Sequence, residues 1–221
     1  MRSTLKRAAV GAAVLGVVAA VYRFAAHARL GRWGATPEEW SETLQGDEVV
    51  RDANHRSTRA VAIDATPAEI WPWLVQIGQG RGGAYTYERL QNLFRLDFHN
   101  ADQILPEYQN LKIGDTIPLD PSGKGPKVRE LVAEEHMLLE DHKPPWTWLF
   151  ALHPDEPGRT RLVVRNRVST KRSSLPVRAL YRLLGPPVFL MERKMLLGIK
   201  ERAERLHSQN EAETRAAARA S

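Results

Sequence analysis

The chain has 221 residues, 43% of them hydrophobic, and a formal net charge of +6. That length and apolar share suit one globular domain with appendages and a sizeable core. There is no cysteine, which excludes disulfides, a thiolate nucleophile and cysteine-bound zinc.

The charge is unevenly distributed. Residues 1–34 hold Arg2, Lys6, Arg7, Arg23, Arg29 and Arg32 and no acid, while the other 26 Lys and Arg balance 26 Asp and Glu. The basic character therefore belongs to the N-terminal segment, and bulk charge gives no support for a nucleic-acid partner.

Ala8 to Tyr22 is a run of 15 uncharged residues, extending with Arg23 to 19 at Ala26. That is close to the ~20 residues a helix needs to cross a bilayer. We read residues 1–34 as a single-pass membrane anchor with basic flanks, spanning at 8–26, with Arg23 snorkelling and Trp33 in the headgroup belt. The alternative is secretion after signal-peptide cleavage, with n-region Met1–Arg7, h-region Ala8–Val21 and Ala26-His27-Ala28 as the cleavage-like site. Arg23 and Phe24 fit that alternative poorly. Three bases on either side leave the membrane side of the domain open.

Residues 35–55 read as a connector with a short helix. Thr36 is its N-cap, Pro37 its first residue and Glu39 the capping-box partner. A strand is expected at Ser57–Ala65. Thr66, Pro67 and Glu69 repeat the helix-start signature before Ile70, Trp71, Trp73, Leu74 and Ile77, and Gly78 ends that helix. A second short helix is expected over Tyr87–Phe94. After an irregular stretch, strands are expected at Lys112–Leu119, Lys127–Glu134, His136–Asp141, Thr147–His153 and Thr160–Thr170. The turn clusters Pro121–Pro126 and Pro154–Gly158 separate some of them, which implies an antiparallel meander.

The last element is helical. A first limb runs from Ser174 to Leu184, Gly185-Pro186-Pro187 interrupts it, and Val188–Leu206 follows. Val188, Met191, Met195, Ile199, Ala203 and Leu206 form one apolar stripe at helical spacing. Residues 207–221 have nothing large to bury and read as a flexible tail.

One strand, two short helices, an antiparallel run and a long terminal helix make an α+β chain. It resembles the helix-grip superfamily of START lipid-transfer domains, polyketide cyclase/aromatase proteins and pollen-allergen-like carriers, the SRPBCC group. The resemblance covers about residues 56–206. A narrower likeness, to uncharacterised membrane-anchored bacterial members, is carried by Trp71-Pro72-Trp73-Leu74-Val75-Gln76, Gly78–Gly83, His99-Asn100-Ala101-Asp102 and Glu192-Arg193-Lys194-Met195. It implies a curved antiparallel sheet wrapped around the terminal helix, with an internal cavity for an apolar or amphipathic molecule. In some members a glycine-rich loop joins two sheet strands, whereas here the glycine loop follows the first helix of the domain.

The residues offer several sites. Trp71, Trp73, Tyr85, Trp148, Met191 and Met195 are expected to line the cavity, although core and pocket use the same residue types. Trp146 and Trp148 share a strand face. The loop Gly78-Gln79-Gly80-Arg81-Gly82-Gly83 lacks the strand-before-helix setting and the Lys-Ser/Thr of a phosphate loop. It reads as a tight turn or a cavity mouth, with Arg81 reaching an anionic headgroup. His99 with Tyr85 or Tyr87 forms an alternative acid–base set for a cyclase-type enzyme. Asp97, His99 and Asp102 lack metal-site spacing, and neither metal nor cofactor is expected. Arg159, Arg161, Arg165 and Arg167 share one strand parity, giving a solvated basic face or a contact for anionic lipid. A module that binds other proteins, its pocket filled by its own side chains, is the remaining alternative.

Overall fold

The computed structural model describes residues 29–93 and 95–220. In chain order it contains α1 (Pro37–Ser41), β1 (His55–Ile63), α2 (Pro67–Val75), α3 (Glu88–Leu93), a 3-10 turn (Pro106–Tyr108), β2 (Lys127–Val132), β3 (His136–His142), β4 (Pro145–Glu156), β5 (Arg159–Val168), α4 (Leu175–Leu183) and α5 (Gly185–Ala220). The chain is α+β, with one antiparallel sheet ordered β1-β5-β4-β3-β2 and a long C-terminal helix. The four later strands form a meander, and β1 pairs with the last of them, from His55 opposite Val168 to Ile63 opposite Thr160.

Local chemistry sets the helix starts. Around α1, Thr36 Oγ1 accepts from the Glu39 N–H and the Glu39 carboxylate accepts from the Thr36 N–H, so both halves of the capping box form. At α2 the Glu69 carboxylate takes both the Thr66 N–H and the Thr66 hydroxyl.

Lys112–Leu119, expected as a strand, is irregular. It lies beside 124–128, where Ile117 N donates to Pro126 O and Leu119 N to Lys124 O, but only Thr116 and Lys127 form a ladder bridge. Pro118 and Pro126 lack the donors a continuous ladder needs.

Strand alternation gives the sheet two faces. Ile63, Met137, Leu139, Phe150, Leu152, Leu162 and Val164 face inward, where Ile70, Trp73 and Leu74 of α2 and Met195, Leu196, Ile199 and Ala203 of α5 cover them. Gly198 allows this close approach, because a Cβ there would lie 2.5 Å from the Tyr85 carbonyl oxygen. The helix cost of glycine, roughly 1 kcal/mol, is offset by that contact. On the other face, Ala60, Leu138, Leu149, Ala151 and Val163 pack against Leu44, with Ala35 alongside. The connector is therefore the cover of the outer face.

Three of the four arginines expected on a solvated or lipid-contacting face hold that cover in place. Arg165 is almost fully buried, with Nε on Thr58 Oγ1, Nη1 on Glu42 O and Asp47 Oδ2, and Nη2 on Glu39 O. Arg161 grips the Glu39 carboxylate through Nε and Nη2, at 2.6 and 2.9 Å. Arg167 donates to Val50 O. Arg159 sits at the turn near Asp64, Asp155 and Glu156. Parity put these arginines on one face, and the connector, rather than water or lipid, meets three of them.

Residues 31–33 run along β1, with Thr58 N donating to Gly31 O and Ala60 N to Trp33 O. Trp33 packs edge-on to Phe189 under the Arg193 guanidinium, so its ring is part of the folded domain. Helix α5 continues through residues 207–220, expected as a loose tail. His207 and Asn210 hold its middle to Glu69, at 2.8 and 2.9 Å. Among the described residues no helix is long and apolar enough to cross a membrane. The anchor expected at 8–26, and its signal-peptide alternative, lie outside the described residues.

Candidate functional site

The stripe on α5 is packed along only part of its length. Met195, Ile199 and Ala203 are buried, but Val188 is half exposed and Met191 only partly covered. Beneath this upstream end, β4 presents Trp146, Trp148 and Phe150 at alternate positions. Trp146 stacks on Trp148 at 5.7 Å, and Trp148 tilts onto Phe150 at 4.7 Å. Between the aromatic row and the helix lies a cavity of about 420 Å³. Its other walls come from Ala84, Thr86 and Gln91 around the start of α3, and from Leu96 and Phe98 after it.

A second cavity, of about 400 Å³, adjoins the first and shares Trp146, Asn166 and Val188 with it. Leu30, Gly31, His55, Leu180, Tyr181 and Leu184 complete most of its wall. The two hollows form one groove under the α4–α5 junction.

A polar chain crosses the groove where the hollows meet. Trp146 Nε1 donates to Asn166 Oδ1 at 3.0 Å, and Asn166 Nδ2 donates to Glu192 Oε1 at 2.8 Å. The other Glu192 oxygen pairs with Arg59 Nη1, and Arg59 Nε donates to Leu30 O. Both charged side chains are buried. Desolvation pulls the Arg59 guanidinium down to about 10, and the Glu192 carboxylate keeps the charge matched. Thr86 and Gln91 form a second buried polar pair on the wall, at 2.6 Å. Trp148 Nε1 is buried without an acceptor in the protein.

The structure divides the expected ligand residues. Trp148, Met191 and Met195 line the groove. Trp71, Trp73 and Tyr85 lie in or against the packed core at the other side of α2. Tyr85 sits at φ +53, a conformation rare for an aromatic residue. Its ring packs edge-on to Trp73 under the Arg202 guanidinium, and its hydroxyl donates to Trp73 O at 3.0 Å. Burial pushes its phenol up, well above the usual range. Tyr85 therefore fixes the backbone that turns Ala84 and Thr86 toward the groove, and offers the groove no proton.

Tyr87 is exposed, and its carbonyl accepts from Leu90 N and Gln91 N at the start of α3. The His99 side chain is 76% exposed and contacts Asp97. Neither lines the groove, so the alternative acid–base set is not assembled there. Asp102 pairs with Arg202 instead of joining a metal set. Among the described residues no three His, Asp or Glu converge on a metal position. Arg81 donates to Val75 O and stacks over Tyr108, which makes it a staple of the glycine turn and not a headgroup reader. That turn closes on itself, with Gly78 and Gly83 exchanging backbone hydrogen bonds. A Cβ on Gly83, at φ +80, would strike His99 O.

Sequence reasoning missed Arg59, Asn166 and Glu192. Strand parity could have found two of them. Thr160, Leu162, Val164, Asn166 and Val168 share the inner face of β5, so Asn166 is an amide set among mostly apolar neighbours. Arg59 is likewise a base on the inner face of β1, alongside Val61 and Ile63.

No family model and no curated protein matches the chain. Among solved structures, it is similar to KanY, with 12% identity and TM-score 0.43 over 68% of this chain and 97% of that one. It is also similar to protein NE0264 from Nitrosomonas europaea, with 14% identity and TM-score 0.41 over 71% and 99%. The Aha1 protein from Colwellia psychrerythraea shows 20% identity and TM-score 0.37 over 68% and 96%. At these levels the function rests on this chain's own residues.

Proposed function

We propose that this protein binds an apolar or amphipathic small molecule, a lipid or polyketide-like compound, in the groove between β4 and the start of α5. The observation that carries the reading is the unfilled space under Met191, of about 420 Å³, next to the buried core residues Met195, Leu196 and Ile199. It falls within the ~300–1,000 Å³ typical of ligand pockets. Each methylene a ligand buries there contributes about 0.8 kcal/mol before ordering costs. Trp148, Met191 and Met195 supply the apolar wall, and the thioethers adapt to ligand shape. Asn166 and the orphan Trp148 indole N–H favour a ligand with at least one hydrogen-bond acceptor.

Binding is favoured over catalysis because Glu192, the carboxylate on the wall, is already engaged by Arg59 and Asn166. The apolar run at 8–26 supports a membrane tether for the domain. The test is titration of the full chain with an environment-sensitive apolar dye, followed by displacement with long-chain fatty acids and polycyclic phenols. One saturable site, displaced by at least one of these and lost in Met191→Trp with the fold intact, is expected. Absence of saturable dye binding in the wild-type chain overturns the reading.

A further inference from the structure

Helix α4 carries more apolar surface than the fold covers. Leu180, Tyr181 and the following Leu184 line the second cavity. Leu175, Ala179 and Leu183 recur every fourth residue and form a separate stripe that faces water. Leu175 and Leu183 are 76% and 60% exposed, and Leu190 on the first turns of α5 is exposed as well. Globular proteins seldom leave contiguous leucines of this size in water without a partner.

The charges around this stripe are of one sign. Lys171 and Arg172 lead into α4, and Arg178 and Arg182 lie one turn apart beside the leucines. No acid occurs from Pro157 to Met191. Arg161, Arg165 and Arg167 are paired to the connector, but among the described residues none of these four bases has an ion-pair partner.

We propose that α4 and the first turns of α5 dock on an anionic lipid bilayer, with the leucines in the acyl boundary and the bases at the headgroups. An apolar stripe flanked by lysine and arginine is the composition of a helix that lies in a membrane interface. A second copy fits poorly, because a two-fold contact would oppose the same four bases. The position agrees with a membrane partner. Leu30 and Gly31, just after the apolar run at 8–26, share a cavity wall with Leu180 and Leu184. Pro187, Val188 and Met191 border the other hollow. Docked this way, the groove opens toward lipid. The proposal rests on the ligand and tether readings only for its purpose and orientation.

The chain lacks cysteine, so single cysteines give unique labels. A polarity-sensitive fluorophore on Leu183→Cys, and separately on Glu213→Cys far along α5, is read in the full chain. Vesicles are phosphatidylcholine with or without about a third of phosphatidylglycerol. Position 183 is expected to shift to the blue and be quenched by spin-labelled lipid on anionic vesicles, while position 213 stays water-like. Arg178→Glu with Arg182→Glu is expected to weaken that partition about tenfold or more. A chain that sediments with vesicles while position 183 stays in water overturns the proposal and leaves the tether standing. An equal shift on neutral vesicles overturns the anionic partner, and a shift that grows with protein concentration without vesicles identifies a second copy. Dye binding in the groove is measured separately, so loss of one reading does not mimic loss of the other.

Discussion

At one end of the sheet's inner face, Ile63, Phe150, Leu162 and Val164 meet Ile70, Leu74, Ile199 and Ala203, all essentially buried. At the other end, Trp146 and Trp148 face Val188 and Met191 across a hollow. Both ends use large apolar residues from the same strands and the same helix. The packed end has α2 as a second cover, and Gly198 lets α5 settle against residue 85. The hollow end is covered instead by the upstream turns of α5, which begin at Gly185-Pro186-Pro187, and by residues around α3 such as Gln91 and Phe98. Along one apolar stripe, packing is thus tight where α2 and Gly198 let α5 settle, and open upstream of them.

The largest effect should separate the two ends directly. Phe150→Ala is expected to cost about 3–5 kcal/mol, as for other fully buried aromatics. Met191→Ala, beside space that already exists, should cost under about 1 kcal/mol. Urea denaturation measures both, and similar losses would erase the distinction between core and groove.

The next contrast lies on the outer face. Arg165→Met should cost about 3 kcal/mol or more, since it removes a buried guanidinium from Thr58, Asp47 and two connector carbonyls at once. Arg178→Met, on a half-buried base without an ion-pair partner among the described residues, should stay within about 0.5 kcal/mol. If the two arginines behave alike, the connector is not the structural cover described above.

The same lock predicts an acid response. Burial alone would raise the Glu39 carboxyl, but hydrogen bonds from Arg161 and the Thr36 N–H outweigh it and hold it below its ordinary value of 4.5. A depressed carboxyl stabilises the fold above its unfolded value, and that stability is lost as pH falls through the folded value. The thermal midpoint should therefore drop on acidification below the ordinary glutamate range, and Glu39→Gln should flatten that part of the profile. Dye binding at pH above that range should be unchanged by Glu39→Gln, because the groove lies on the opposite face.

The smallest effects should come from the residues first considered for acid–base work. His99→Ala and Tyr87→Phe are expected to leave dye binding unchanged and stability within about 0.5 kcal/mol. A loss of ligand binding in either variant would move the site away from β4.

Much of this architecture was legible before the structure. Thr36-Pro37 and Thr66-Pro67 marked both capped helices, four of the later strands fell near their expected places, and the α5 stripe was visible at helical spacing. Trp148, Met191 and Met195, expected on one wall, line the same hollow. Trp71 and Trp73 were not separable from them, because tryptophan has the same composition signal in a filled core and in a groove wall. The Arg59–Glu192 pair joins residues 133 apart, and no local pattern encodes such a contact. The fate of Arg161, Arg165 and Arg167 depended on where the connector came to rest, which parity alone does not fix.

The space under Met191 is the proposed seat of the ligand. Native mass spectrometry of the full chain, released from its own cells in mild detergent, tests it most directly. A bound small molecule is expected on the wild-type chain, absent from Met191→Trp at equal folding. A wild-type chain that carries no adduct, or a Met191→Trp chain that keeps the same one, would contradict it.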